Sequence, residues 1–123
     1  MVLGPGKYDA LCTEYDYEGE RIDGRCIVRV IEKDRRRRRL RPRLDLYNHS
    51  PTGFEWGYGG SGPAQLALAL LADTLGDGER AVRLHQFFKR RVVADLPHHQ
   101  WRMSRAAIVI VAAKLEKLER ASR

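Results

Sequence analysis

The chain reads as an α+β domain, with a small antiparallel sheet from its N-terminal half packed on about three helices and one buried helix at the centre. Three observations predict this. Aromatic and β-branched residues in rough alternation mark residues 7–47, apolar runs of helical length mark residues 63–121, and a glycine-rich turn separates the two. At 123 residues the chain reads as a single domain, 1–123, able to bury roughly two thirds of its unfolded surface without metal or disulfide.

Met1–Gly6 reads as a loose arm, and Tyr8–Tyr17, rich in aromatic and polar residues, suits a strand. Glu18-Gly19-Glu20 and Asp23-Gly24 are turn signals. Arg25–Lys33 has the β-branched content of a strand, with Cys26, Val28 and Val30 on one face and Ile27, Arg29 and Ile31 on the other. The arginine run opened by Lys33-Asp34 reads as a hairpin loop. Leu40–Tyr47 is then a third strand, held to an edge or a strand start by Pro42.

The stretch from Asn48 to Gly53 is dense in turn formers, and Gly57-Tyr58-Gly59-Gly60-Ser61-Gly62 places four glycines in six residues just before Pro63. Proline favours the first helical position, which predicts Gly62 as the N-cap and Gln65 as a side chain reaching back to the cap N–H. The helix Ala64–Leu75 stops at Gly76 and is apolar almost all round, which marks it as the buried one. Asp77 caps a second helix, Gly78–Asp95, with Val82, His85, Phe88 and Val92 inward and Arg80, Arg83, Lys89, Arg90 and Arg91 outward. His98–Met103 reads as an extended link carrying Trp101, and Ser104 caps a third helix, Arg105–Arg120.

Composition narrows the class. Hydrophobic residues make up 43% and charged residues 32%, as in ordinary globular chains. The longest apolar run, the eight residues Ala106–Ala113, is too short to span a bilayer and is a candidate homodimer seam. No membrane partner is expected, no secretion signal is read at Met1–Ala10, and Cys12 and Cys26 are too few for a disulfide framework. A cytoplasmic protein with reduced cysteines follows. The net charge of +7 favours polyanionic partners. Its excess is concentrated, because Arg35, Arg36, Arg37, Arg38, Arg39, Arg41 and Arg43 put seven positive charges within nine residues.

The run from Tyr47 to Leu71, with its core NHSPTGFEWGYGGSGPAQLALALL, resembles the signature of a family of small prokaryotic and phage-associated proteins known only as a domain of unknown function. Phe87-Phe88-Lys89, Val92-Val93, Leu96-Pro97 and Trp101 are similar to it as well, so the resemblance covers roughly residues 40–104. It implies no chemistry.

Candidate sites follow from residue type. Glycines admit a ligand close to the backbone and helix N-termini present free N–H groups, so Trp56, Gly57, Tyr58, Gly59, Gly60, Ser61, Gly62 and Gln65, with His49, form a candidate phosphate or nucleotide-like site. The turn lacks the P-loop and dinucleotide patterns, so its glycines equally suit a tight entry into a buried helix. The seven arginines are candidate phosphate contacts, and Tyr47, Trp56 and Tyr58 are stacking surfaces for unpaired bases if exposed. His49 with Glu55 is a candidate acid–base pair and Ser50 or Ser61 a candidate nucleophile, yet no third partner is evident, and His49 before Ser50-Pro51 reads more simply as a turn residue bonding to backbone. Adjacent His98 and His99 point apart, so no metal or other cofactor is expected. The sequence therefore favours a small basic binding module, contacting nucleic acid or a complex that processes it, over a catalyst. The alternatives are a phosphate-type ligand site at the glycine turn and a mobile-element accessory protein that inhibits a protein partner.

Overall fold

The computed structural model describes residues 15–122. The arm Met1–Gly6, Cys12 and the stretch Tyr8–Glu14 of the expected first strand lie outside them. Four strands, β1 (Tyr17–Ile22), β2 (Arg25–Ile31), β3 (Arg37–Arg39) and β4 (Gln100–Met103), form one antiparallel sheet in the order β3-β2-β1-β4. Among the described residues three helices, α1 (Ser61–Leu75), α2 (Gly78–Arg91) and α3 (Arg105–Ala121), make up the helical part of the α+β fold. A 3₁₀ turn, Val93–Asp95, follows α2.

The β1–β2 hairpin turns on Asp23 and Gly24, both with positive φ (49° and 77°), the two-residue geometry whose twist matches that of paired strands. Register then sorts the side chains. Tyr17, Gly19, Val28, Val30, Trp101 and Met103 point inward and are buried with the helix side chains in one core. Glu18, Glu20, Arg29, Arg39, Gln100 and Arg102 point to the opposite face.

Glu18-Gly19-Glu20 is the middle of β1 and not a turn. Gly19 pairs with Val28 on one side and Trp101 on the other, and a Cβ there would lie 2.2 Å from the Trp101 indole. The glycine makes room for a ring and does not bend the chain. The link His98–Met103 correspondingly becomes β4, because pairing with β1 satisfies its backbone groups. The arginine run is also not all loop. Glu32–Arg36 makes the turn, with Arg35 in a left-handed conformation (φ 72°), and Arg37–Arg39 is the edge strand β3. Leu40–Tyr47, expected as a strand, leaves the sheet after Leu40 donates to the Val28 carbonyl, because Pro42 has no N–H to continue the ladder.

Helix α1 is the centre of the molecule, with Gly62–Ala72 buried throughout and Leu66, Leu68, Leu70 and Leu71 fully so. It starts two residues before Pro63, capped by Gly60 in place of the expected Gly62, and ends on left-handed Gly76. The second helix is shorter than Gly78–Asp95, because Val92 departs from helical geometry and the chain tightens into the 3₁₀ turn. Asp77 caps α2 through the Arg80 N–H and Ser104 caps α3 through the Ala107 N–H, as the sequence suggests.

One carboxylate ties the layers together. Asp73, near the end of α1, accepts from the Tyr17 hydroxyl at 2.6 Å, Arg38 at 2.8 Å and Arg105 at 3.0 Å. It thereby fastens β1, β3 and α3 to the central helix. Burial alone would raise the Asp73 carboxyl, but hydrogen bonds from Arg38 and Tyr17 outweigh it and hold the group below the ordinary carboxylate value.

Candidate functional site

The glycine turn enters α1 in a way that uses its glycines for packing. Gly62 is buried, and a Cβ there would lie 2.6 Å from the Glu55 Cβ and 3.2 Å from the Glu55 backbone nitrogen. Trp56 is 1% exposed, donates its indole N–H to the His98 carbonyl at 3.1 Å and meets Trp101 edge-on. A ligand at this turn would therefore meet Gly57, Tyr58, Gly59 and Ser61, which are exposed, and not Trp56, Gly62 or Gln65. Pro63 removes one of the free N–H groups at the helix start. The carboxylate of Glu55 is engaged by Arg21 at 3.0 and 3.2 Å, while the His49 ring nitrogen Nε2 is engaged by His85.

Gln65 does something other than cap. It is fully buried, and its side chain saturates four backbone groups of the segment 42–50. The amide nitrogen donates to the Pro42 and Tyr47 carbonyls, and the oxygen accepts from the His49 and Ser50 N–H groups at 2.8 and 3.1 Å. Two donors facing one end and two acceptors facing the other leave the amide a single orientation. The sequence signal was present: Gln65 is the one polar side chain within the buried stretch Gly62–Ala72, and such a group must find partners.

The same segment presents a histidine pair that the sequence did not join. His85 is 4% exposed, and its Nδ1 donates to the Val82 carbonyl at 2.6 Å. Its Nε2 is then an acceptor, so the 2.8 Å contact with His49 Nε2 is a hydrogen bond donated by His49. Burial, followed by His85 and Lys89, pushes the His49 imidazole below its ordinary value. Burial and Lys89 do the same for His85, against the opposing Val82 carbonyl. Both rings are neutral at pH 7, and Tyr47 stacks on His49 at 4.2 Å and 19°.

The arginine run divides by the geometry of the edge strand. Arg36 pairs with Asp34, Arg37 with Glu18 at 2.8 Å, Arg38 with Glu32 and Asp73, and Arg43 with Asp45 at 3.0 Å. Arg35, Arg39 and Arg41 are exposed and make no ion pair among the described residues. Register adds residues from elsewhere, since Arg102, Glu18, Arg29 and Arg39 form one row across the outer face of the sheet. Arg25 joins Arg39 in a cleft of about 650 Å³ that also includes Ser50, Thr52 and Gly53. On the other side of Pro42, which borders both, Arg38, Arg41 and Arg43 line a second cleft of about 890 Å³ floored by Ala69 and Ala72.

Cys26 borders the smaller cleft, where burial and the Glu55 carboxylate push its thiol up to about 11, so it is protonated and a poor nucleophile at neutral pH. Ser50 donates its hydroxyl to the Gly53 carbonyl at 2.7 Å, which is a turn contact. Among the described residues, no three His, Cys, Asp or Glu side chains converge on a point where a metal would sit. No helix among them is long and apolar enough to cross a membrane.

An open four-stranded antiparallel sheet with helices on one face and an arginine-rich outer edge defines a small two-layer α+β protein. The chain belongs to DUF6166, a family of unknown function whose model matches residues 17–114. The match takes in all four strands, α1 and α2, and stops within α3. No curated protein and no solved structure matches the chain.

Proposed function

We propose that the protein binds a polyanion, with the phosphate backbone of nucleic acid as the ligand, along Arg39, Arg41 and Arg25. One observation carries this reading. These three guanidinium groups are exposed, have no carboxylate partner among the described residues, and border two clefts that share Pro42 as a wall. Elsewhere in the run Arg36, Arg37, Arg38 and Arg43 are paired with carboxylates and Arg35 sits apart in the 32–36 turn, so the contact surface is smaller than seven arginines. A phosphate-type ligand at the glycine turn has less support, since Gly62 and Trp56 serve packing and Pro63 withholds an N–H.

The test is oligonucleotide binding by fluorescence anisotropy over a salt series. Each lost phosphate contact should lower the slope of log K against log salt by about 0.9 for duplex DNA and about 0.7 for single strands. Arg25→Gln, Arg39→Gln and Arg41→Gln combined should weaken binding and flatten that slope. The triple variant Lys114→Gln, Lys117→Gln and Arg120→Gln removes equal charge from the exposed end of α3 and should change little. Equal effects of the two triple variants would reduce the reading to bulk charge, and no binding at low salt would end it.

A protein-contact role is the second reading. Val109 and Ile110, 47% and 38% exposed on α3, support it as an apolar surface without cover among the described residues. Sedimentation of the wild type against Ile110→Asp tests for a self-associating seam there.

A further inference from the structure

The segment 42–50 is held more tightly than a surface connection requires. Gln65 saturates four of its backbone groups, the Tyr47 N–H reaches the Arg43 carbonyl at 3.4 Å, and His49 is pinned to His85. These restraints converge on one ring. Tyr47 stacks on His49 and is nevertheless 52% exposed, so one face is supported from below while the rest of the ring stands open to solvent. It contributes nothing to the buried core. Earlier in the same segment, Arg41 and the Asp45-paired Arg43 border the larger cleft.

We propose that Tyr47 is a stacking platform for an unpaired nucleotide base, which makes the ligand of the neighbouring arginines a single strand and not a duplex. This rests on the polyanion reading above and specifies its ligand. The chemistry is that of alternation: a single strand offers phosphates and free base faces in turn, and the 39–47 segment offers the unpaired guanidinium groups of Arg39 and Arg41 and then an aromatic face. A duplex keeps its base faces inside the stack, so a flat surface ring adds nothing to its binding. Because Gln65 holds the Tyr47 backbone and the ring already rests on His49, little side-chain freedom is lost when a base settles on it.

The test compares a labelled oligothymidylate with a duplex of equal phosphate number, using the 123-residue chain and its Tyr47→Leu and Tyr47→Phe variants. Leu keeps apolar bulk over His49 without a π face, and Phe keeps the ring. Tyr47→Leu should weaken single-strand binding by about tenfold, with Tyr47→Phe within about twofold of wild type. Duplex affinity and both salt slopes should be unchanged, and the melting temperatures of the variants confirm that each is folded. Loss of duplex and single-strand affinity in equal measure, or equal behaviour of Leu and Phe, would overturn the platform and leave the polyanion reading standing. Absence of binding to either oligonucleotide at low salt would remove both.

Discussion

Replacing Gln65 by Leu changes little in volume and removes every hydrogen bond that the side chain makes to the segment 42–50. The Pro42 and Tyr47 carbonyls belong to exposed residues and can turn to water. The His49 and Ser50 N–H groups belong to half-buried residues and lose their acceptor outright. At roughly 1–2 kcal/mol for each stranded donor, the substitution should cost about 3 kcal/mol. That is a large fraction of the 5–15 kcal/mol typical of a domain. Urea unfolding should show a midpoint lowered by roughly 1–2 M at unchanged slope, and the His49 and Ser50 amides should lose hydrogen-exchange protection. Gln65→Glu separates the two ends of the amide. It keeps an acceptor for the two N–H groups but sets an oxygen against the Pro42 and Tyr47 carbonyls, so it should be at least as harmful at pH 7. A loss below about 1 kcal/mol for Gln65→Leu, or a neutral Gln65→Glu, would refute the clamp.

Three further outcomes are expected. Asp73→Ala should destabilise by about 2 kcal/mol, less than a fully buried pair, because Tyr17 keeps Thr74 and Arg38 keeps Glu32; thermal melts check this. Gly19→Ala should cost about 3 kcal/mol, since the buried Trp101 ring cannot move aside, and adding Trp101→Leu should be less harmful than the two losses summed, as a double-mutant cycle would reveal. The histidine pair sets a pH dependence. Both folded-state values lie below the ordinary 6.5, so the unfolded chain takes up protons first; stability is complete above pH 6.5 and falls as pH drops toward the folded values. The slope is at most about 1.4 kcal/mol per pH unit for each ring, and denaturation of His49→Gln/His85→Gln at pH 7.5 and 5.5 should show a flatter profile than wild type.

The parts of the fold legible in the sequence were those governed by near neighbours. The burial of Ala64–Ala72 followed from apolar residues on nearly every side, and Asp77, Ser104 and Gly76 act as helix boundaries because capping needs only groups within one turn. The β1–β2 turn was legible for the same reason, since Asp23-Gly24 suits positive φ wherever it occurs. The Glu18-Gly19-Glu20 reading failed because a glycine reports permissiveness and not its use. The use here was a tryptophan ring from the other end of the chain.

The candidate site divides along the same line. Its composition was visible: seven arginines in one short run, a glycine turn, and a glutamine within the apolar stretch of the central helix. Which arginines are free was not, because Arg37 and Arg38 point to opposite faces of an edge strand whose register depends on β2, and their carboxylates lie on β1 and α1. His49 and His85 likewise belong to a loop and a helix that meet only when α1 and α2 pack. The sequence by itself determined the class, the central helix and the excess of positive charge, because propensity, burial pattern and net charge are local or additive. Tertiary structure alone decided which cations remain exposed and which ring stands open beside them, because hydrogen bonds and ion pairs choose partners by distance in space.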